Sequence, residues 1–288
     1  MSDSLGNKSE SPLYTEHLLL GATFGKDGLV RRYANEQLDC PAPSNGCFLA
    51  DITHLTTYAL FGDVAKSFSE AAFAGSKLAV GECEYEAVLS GDGSIASVPL
   101  LARTGVNEYV AFDFSPRGAI LMAWLDFVRS ASKDGVAPYQ SLGCQDATGT
   151  HCVLAIWGGI AKTILEDYTA ANRLPKPGHI VSCNLDKIPC IIARIDMSNM
   201  ACYFVLVPPA SSVALWRSLL SFSEVEPVGV PSFTDSFTAA NPWFKSLCTT
   251  DVVRMSANEL RSYGLLRSQA DFIGARGLIG SNRGEALR

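Results

Sequence analysis

The side chains in this 288-residue sequence that could move protons or hold charged ligands are scattered carboxylates, four histidines, nine cysteines and isolated arginines. Asp113 closes the apolar stretch Tyr109–Phe114 and stands just before Ser115–Pro116 and a helical pattern. A carboxylate there either serves a ligand at the end of a strand or joins Ser115 in capping the turn. Asp92, framed as Ser90-Gly91-Asp92-Gly93-Ser94, reads as a turn aspartate bonded to its own backbone. His54 reads as a hydrogen-bonded structural residue, and His17, His151 and His179 have no partner at metal-ligand spacing. Tyr85 either stacks on a flat ligand or is a half-buried strand aromatic. Arg194 either grips a carboxylate with both arms or lies solvated on a strand edge. Trp243 and Phe244 read as core or lid aromatics.

The cysteines are odd in number, and none has C-x-x-C spacing. The closest pairs are Cys40/Cys47, Cys144/Cys152 and Cys183/Cys190, which suit reduced thiols rather than a disulfide frame or a zinc knuckle. No metal is expected. The net charge of −6 and the absence of a basic cluster argue against a nucleic-acid partner. No apolar run is long enough to span a bilayer, and the polar start MSDSLGNKSESP lacks a signal-peptide layout. The expectation is a cytoplasmic protein with no membrane partner.

Three segments repeat one arrangement that could position these groups: an apolar strand, a turn and an amphipathic helix. Tyr109–Phe114 leads into a helix with Ile120, Leu121, Trp124, Leu125 and Val128. Ser115 is its expected N-cap and Pro116 its first residue. Cys152–Ile156 leads through Gly158–Gly159 to Ile160, Ile164, Leu165 and Tyr168. Tyr203–Val207 leads through Pro208–Pro209 to Val213, Trp216, Leu219 and Leu220. A further helix is predicted over Val64–Ala74, ending at Gly75. Residues Glu84–Arg103 read as a β-hairpin, with Gly91 and Gly93 supplying positive φ at its tip. Asp39–Gly46, Ser130–Gly149, Arg173–Gly178 and Glu226–Asn241 read as connectors. The first ten and last ten residues read as loose tails. Strands joined by helices, together with a hairpin, predict a mixed α/β (α+β) protein.

Several short segments, in order, are similar to the glycine cleavage T-protein (aminomethyltransferase) family. Ser11–Leu20 with Gly21–Ala22 resembles its T-P-L-Y-x-x-H…G-A opening, and Phe48–Leu55 (FLADITHL) its F-D-V-S-H-M strand. The hairpin resembles the family's folate-binding hairpin, with Tyr85 in place of a tyrosine beside the folate. Ala111–Arg117 (AFDFSPR) resembles V-V-N-A/S-x-x-R, Leu154–Gly159 (LAIWGG) resembles A-V-Q-G-P, and Ala270–Leu278 (ADFIGARGL) resembles D-F-I-G-R-E-A-L. Arg194 with the stretch through Pro208 resembles R-T-G-Y-T-G-E-x-G-Y-E-I-x-x-P.

The resemblance implies a folate-binding aminomethyltransferase-like fold of interleaved mixed-sheet subdomains, roughly 11–50 with 150–225 and 51–149 with 226–278. The C-terminal β-barrel of the family is expected to be absent. It implies tetrahydrofolate as cofactor, and transfer of an aminomethyl or methyl group assisted by a carboxylate. Tyr85, Asp113, Arg194 and Phe204 fall on family folate-contact positions. Ser97 falls where the catalytic aspartate stands, or Val98 if the register slips by one, and Asp113 falls where an asparagine touches the pterin. Phe204 replaces a glutamate, Asp196–Met200 replaces a glycine-rich turn, and Pro231–Ser236 lacks the arginine of G-A-R-D. These departures leave two expectations: a transferase-like protein that could be one subunit of a larger system with a lid-supplying partner, or a non-catalytic folate-binding accessory protein.

Overall fold

The computed structural model describes residues 11–36, 46–169, 174–197 and 200–278. The expected tails, Cys40, most of the 39–46 connector, Arg173 and residues 198–199 lie outside the described residues. A short helix α1 (Tyr14–Leu19) and a hairpin β1 (Thr23–Phe24) and β2 (Val30–Arg32) precede β3 (Cys47–Asp51), β4 (Thr56–Phe61) and α2 (Ala65–Ala72). Next come β5 (Cys83–Tyr85), β6 (Val88–Leu89), β7 (Ile95–Ser97), β8 (Leu100–Gly105), β9 (Glu108–Asp113), α3 (Gly118–Ser130) and β10 (Gly143–Asp146). The chain continues through β11 (Cys152–Trp157), α4 (Ala161–Asp167), β12 (His179–Leu185), β13 (Ile188–Met197), β14 (Met200–Val207) and α5 (Pro209–Leu219). It finishes with β15 (Val225–Pro227), α6 (Val230–Ala240), α7 (Phe244–Leu247) and α8 (Ala257–Ser262).

A six-stranded sheet runs β12-β13-β14-β11-β3-β15, antiparallel except for β15 beside β3. A five-stranded antiparallel sheet runs β10-β4-β9-β8-β5. Side-chain alternation along each strand fixes what each face covers. On β14, Tyr203, Val205 and Val207 share a core with residues of α4 and α5, whereas Cys202, Phe204 and Leu206 belong to the core shared by the two sheets. On β9, Tyr109 and Ala111 pack with residues of α2 and α3, and Phe112 faces inward. Strand β11 is buried along its whole length, which explains its nearly unbroken apolar run. The result is a layered mixed α/β protein, as predicted, and neither large sheet closes into a barrel among the described residues.

All three strand–turn–helix units form, as β9–α3, β11–α4 and β14–α5, the last with Pro209 as the first helical residue. Four local expectations are corrected. The Glu226–Asn241 connector holds β15 and α6. Its Ser and Thr hydroxyls misled because three bond back to the carbonyl four residues earlier: Thr234 to Val230, Ser236 to Ser232 and Thr238 to Thr234. Phe233 and Phe237, one turn apart, then bury that helix. The Ser130–Gly149 connector holds β10, an edge strand paired with β4. Helix α2 stops before Gly75, where Phe73 turns extended so that Ala74 can bond Ala87. Helix α3 starts at Gly118, because Asp113 and Ser115 cap the preceding turn.

Candidate functional site

The Glu84–Arg103 hairpin forms, but its ladder divides between two sheets. Strands β5 and β8 pair at the edge of the five-stranded sheet, and β6 and β7 form their own two-stranded ladder. At the tip the Ser90 amide donates to Ser94 O at 2.8 Å. Only Gly93 takes positive φ, at +81°, and Gly91 does not. Asp92 Oδ1 accepts the Ser94 amide at 3.0 Å and the Ser94 hydroxyl at 2.7 Å. Its other oxygen pairs with Arg254. Hydrogen bonds from Ser90 and Ser94 hold this carboxyl far below the usual carboxylate range, so Asp92 is the turn aspartate its context predicted.

Tertiary packing brings Ser97, at the end of β7, against Asp113, at the end of β9, although the two strands lie in different sheets. Ser97 Oγ donates to Asp113 Oδ2 at 2.5 Å, and both residues are buried. Asp113 Oδ1 accepts the Ser115 amide at 2.8 Å and the Ser115 hydroxyl at 2.7 Å. Burial pushes the Asp113 carboxyl above the ordinary carboxylate value, and the bonds from Ser97 and Ser115 pull it part of the way back. Val98 faces the shared core instead. Arg117 clamps the cluster from below. Its Nε reaches Ala96 O at 2.7 Å, Nη2 reaches Ile95 O at 2.9 Å, and Nη1 reaches Thr249 O and Asp251 O at 2.7 and 2.8 Å. One arginine thus ties β7 to the segment that follows α7.

An aromatic cluster fills the space between the sheets beside these groups. Phe114 stacks on Phe244 with ring centroids 5.7 Å apart and meets Phe233 edge-on at 4.9 Å. Tyr85 lies 5.5 Å from Phe237 and 5.3 Å from Trp243. Trp157 lies 5.2 Å from Phe233 and 5.5 Å from Phe48, and Phe204 lies 6.1 Å from Phe233. The Tyr85 hydroxyl is buried with no hydrogen-bond partner, and burial pushes its ionisation well above the ordinary value. His54 packs on Phe114 at 5.4 Å. The structure therefore places Tyr85 and Phe204 in the inter-sheet core, with the bonded pair Ser97 and Asp113 at strand ends beside Phe114, which packs against that core. It does not bring Arg194 there. Arg194 pairs across strands with Tyr203, lies 5.7 Å over that ring and bonds Asp196 at 3.1 Å, all on the opposite face of the six-stranded sheet from Phe204.

A second buried polar group escaped the sequence reading. His17 Nε2 meets Asp51 Oδ2 at 2.9 Å, and the Tyr33 hydroxyl meets His17 Nδ1 at 2.8 Å. The Thr53 amide donates to Asp51 Oδ1 at 2.9 Å. Burial opposes the Asp51 charge, but the hydrogen bond and charge of His17 prevail and hold its carboxyl below the usual value. The partners are far apart in sequence, and no spacing rule joins them. Trp157, Phe233 and Phe237 were also missed, the two phenylalanines because their helix read as a connector.

Eight cysteines are free thiols among the described residues, and no three His, Cys, Asp or Glu side chains there could hold a metal ion. No helix among them is long and apolar enough to cross a membrane. A family model for the GCVT N-terminal domain matches residues 20–235. This chain belongs to the GCVT N-terminal domain family. The aminomethyltransferase of Saccharopolyspora erythraea is 21% identical to this GCVT-family chain over 221 residues, which are 75% of the chain and 58% of that relative. The chain therefore spans less than two thirds of the length of that relative. Among solved structures, the glycine cleavage system aminomethyltransferase T of Bartonella henselae superposes with a TM-score of 0.72 at 19% identity, over 95% of this chain and 74% of that one. That match establishes a shared fold.

Proposed function

We propose that this chain binds a reduced folate in the inter-sheet core and acts in tetrahydrofolate-dependent transfer of an aminomethyl or methyl group. The observation that carries the reading is the Ser97–Asp113 hydrogen bond. The resemblance puts the reacting carboxylate at position 97, and a carboxyl oxygen lies one hydrogen bond away from the serine now there. In this reading the acid has moved from β7 to β9, and Ser97 orients it. Tetrahydrofolate would supply the nitrogen that accepts the one-carbon unit. Asp113 would hold a proton at Oδ2 or stabilise developing positive charge. Tyr85, Phe204 and Phe233 would enclose the pterin, and the unpaired Tyr85 hydroxyl is a polar group such a ring could satisfy. Arg194 would meet only a folate tail that passes round the sheet edge. The eight free thiols among the described residues suit a reducing cytoplasm. A protein partner that covers the site is part of the same proposal and would co-purify on gel filtration.

The test is calorimetric titration with 5-formyltetrahydrofolate, followed by turnover of aminomethyl and methylated donors. Asp113→Asn keeps the shape of the turn and should retain folate binding while lowering turnover about 10²–10⁴-fold, the usual contribution of one positioned acid–base group. A second reading, a folate-binding accessory protein, is favoured by the three donors already bonded to Asp113. It predicts binding with no turnover in any variant. Failure to bind any reduced folate rejects both readings.

A further inference from the structure

Trp157 ends β11, and Gly158 after it has φ +128°, with a Cβ there falling 2.4 Å from Gly46 O. The strand-to-helix turn is therefore fixed, and with it the direction of the indole. Trp157 is fully buried, yet its Nε1–H has no hydrogen-bond partner. A buried indole N–H ordinarily finds an acceptor, because leaving it unpaired forfeits its solvation. Its cross-strand neighbour is Cys202, and the Tyr85 hydroxyl is another unpaired polar atom of the same core. Trp157 touches Phe233 and Tyr85 touches Phe237, one helical turn apart on α6. Two orphaned polar groups thus border one aromatic core.

We infer that Trp157 is a specificity-determining binding residue whose Nε1–H donates to an acceptor atom, the carbonyl oxygen or an unprotonated ring nitrogen, on the planar pyrimidinone edge of a reduced bicyclic pterin-type ligand. The inference rests on the reduced-folate reading of this site and adds the polarity of one ring edge. An indole only donates and does not titrate, so it selects an oxo or ring-nitrogen edge over an amino edge at any pH. Entry of the ring requires Phe233 and Phe237 to part. Trp216 supplies an internal control: its Nε1–H is also buried and unpaired, but it packs edge-on against His17 at 5.2 Å, in the core on the other face of the six-stranded sheet.

The experiment is titration with 5-formyltetrahydrofolate of wild type, Trp157→Phe and Trp216→Phe, with the melting temperature of each free protein as a fold check. Loss of one ligand hydrogen bond should weaken binding by Trp157→Phe about tenfold. Trp216→Phe should bind like wild type, and neither free protein should lose a hydrogen bond. A measurement free of substitution uses ¹⁵N-tryptophan-labelled wild type, in which one indole N–H proton should move downfield on saturation. Equal affinity of Trp157→Phe and wild type, or no indole shift on saturation, overturns the inference and leaves the folate reading standing. No binding by wild type overturns the folate reading itself, and this inference with it.

Discussion

Glu86 lies in the hairpin with its carboxyl buried and Oε1 unpaired. Burial pushes that carboxyl from an ordinary 4.5 up to about 8; the Glu84 charge adds to the rise, and Arg267 and the Gly75 amide oppose it. Arg267 does not neutralise Glu86, because it is engaged with Phe73 O at 2.6 Å, Glu70 O at 2.5 Å and Asp271 Oδ1 at 2.6 Å. The folded protein therefore holds a proton that the unfolded chain releases. Stability is fully present below pH 4.5 and declines as pH rises towards about 8. At about 1.4 kcal/mol per pH unit, the decline attributable to Glu86 is on the order of 4–5 kcal/mol. Glu86→Gln keeps the shape without the charge. Urea unfolding at half-unit steps from pH 5 to 9 should show the two proteins nearly equal at the acid end. The variant should be several kcal/mol the more stable above pH 8, as that shift implies. Parallel stability curves would refute the argument and mean that the carboxyl reaches water in the folded state.

Two further perturbations probe the frame around the site. Arg117→Lys keeps the charge but loses the fork that holds four carbonyls, and should cost about 2–4 kcal/mol by chemical denaturation. Limited proteolysis should then cut first near residues 244–253, which that fork retains. Gly277→Ala places a Cβ 2.2 Å from the Asp92 carbonyl carbon. It should lower stability by about 1–3 kcal/mol as the segment around Gly277 lifts off the hairpin tip, measured by thermal melting.

Much of the fold was legible because apolar periodicity and turn residues agree. The three strand–turn–helix units and the hairpin follow from alternation, proline placement and the Ser90–Ser94 turn. Where a side chain serves an unusual local need, that logic breaks down. Helix α6 looked like a connector because its hydroxyls bond within the helix, a compensation invisible to propensity. Asp113 looked equally like a ligand-facing acid or a cap. It does cap the turn through Oδ1, while Oδ2 faces Ser97. Arg194 and Phe204 occupy facing strands, and only the β13–β14 register reveals that they point to opposite faces. His17 and Asp51 meet through tertiary packing that no local pattern reports.

The account stands on the idea that the site kept its carboxyl by moving it from β7 to β9. The most direct measurement is reduced-folate-dependent turnover of wild type beside Asp113→Asn and the double variant Ser97→Asp/Asp113→Asn, each with its folate affinity. The account predicts that Asp113→Asn binds folate but loses turnover, and that the double variant regains part of it. Turnover in Asp113→Asn equal to wild type would contradict the account.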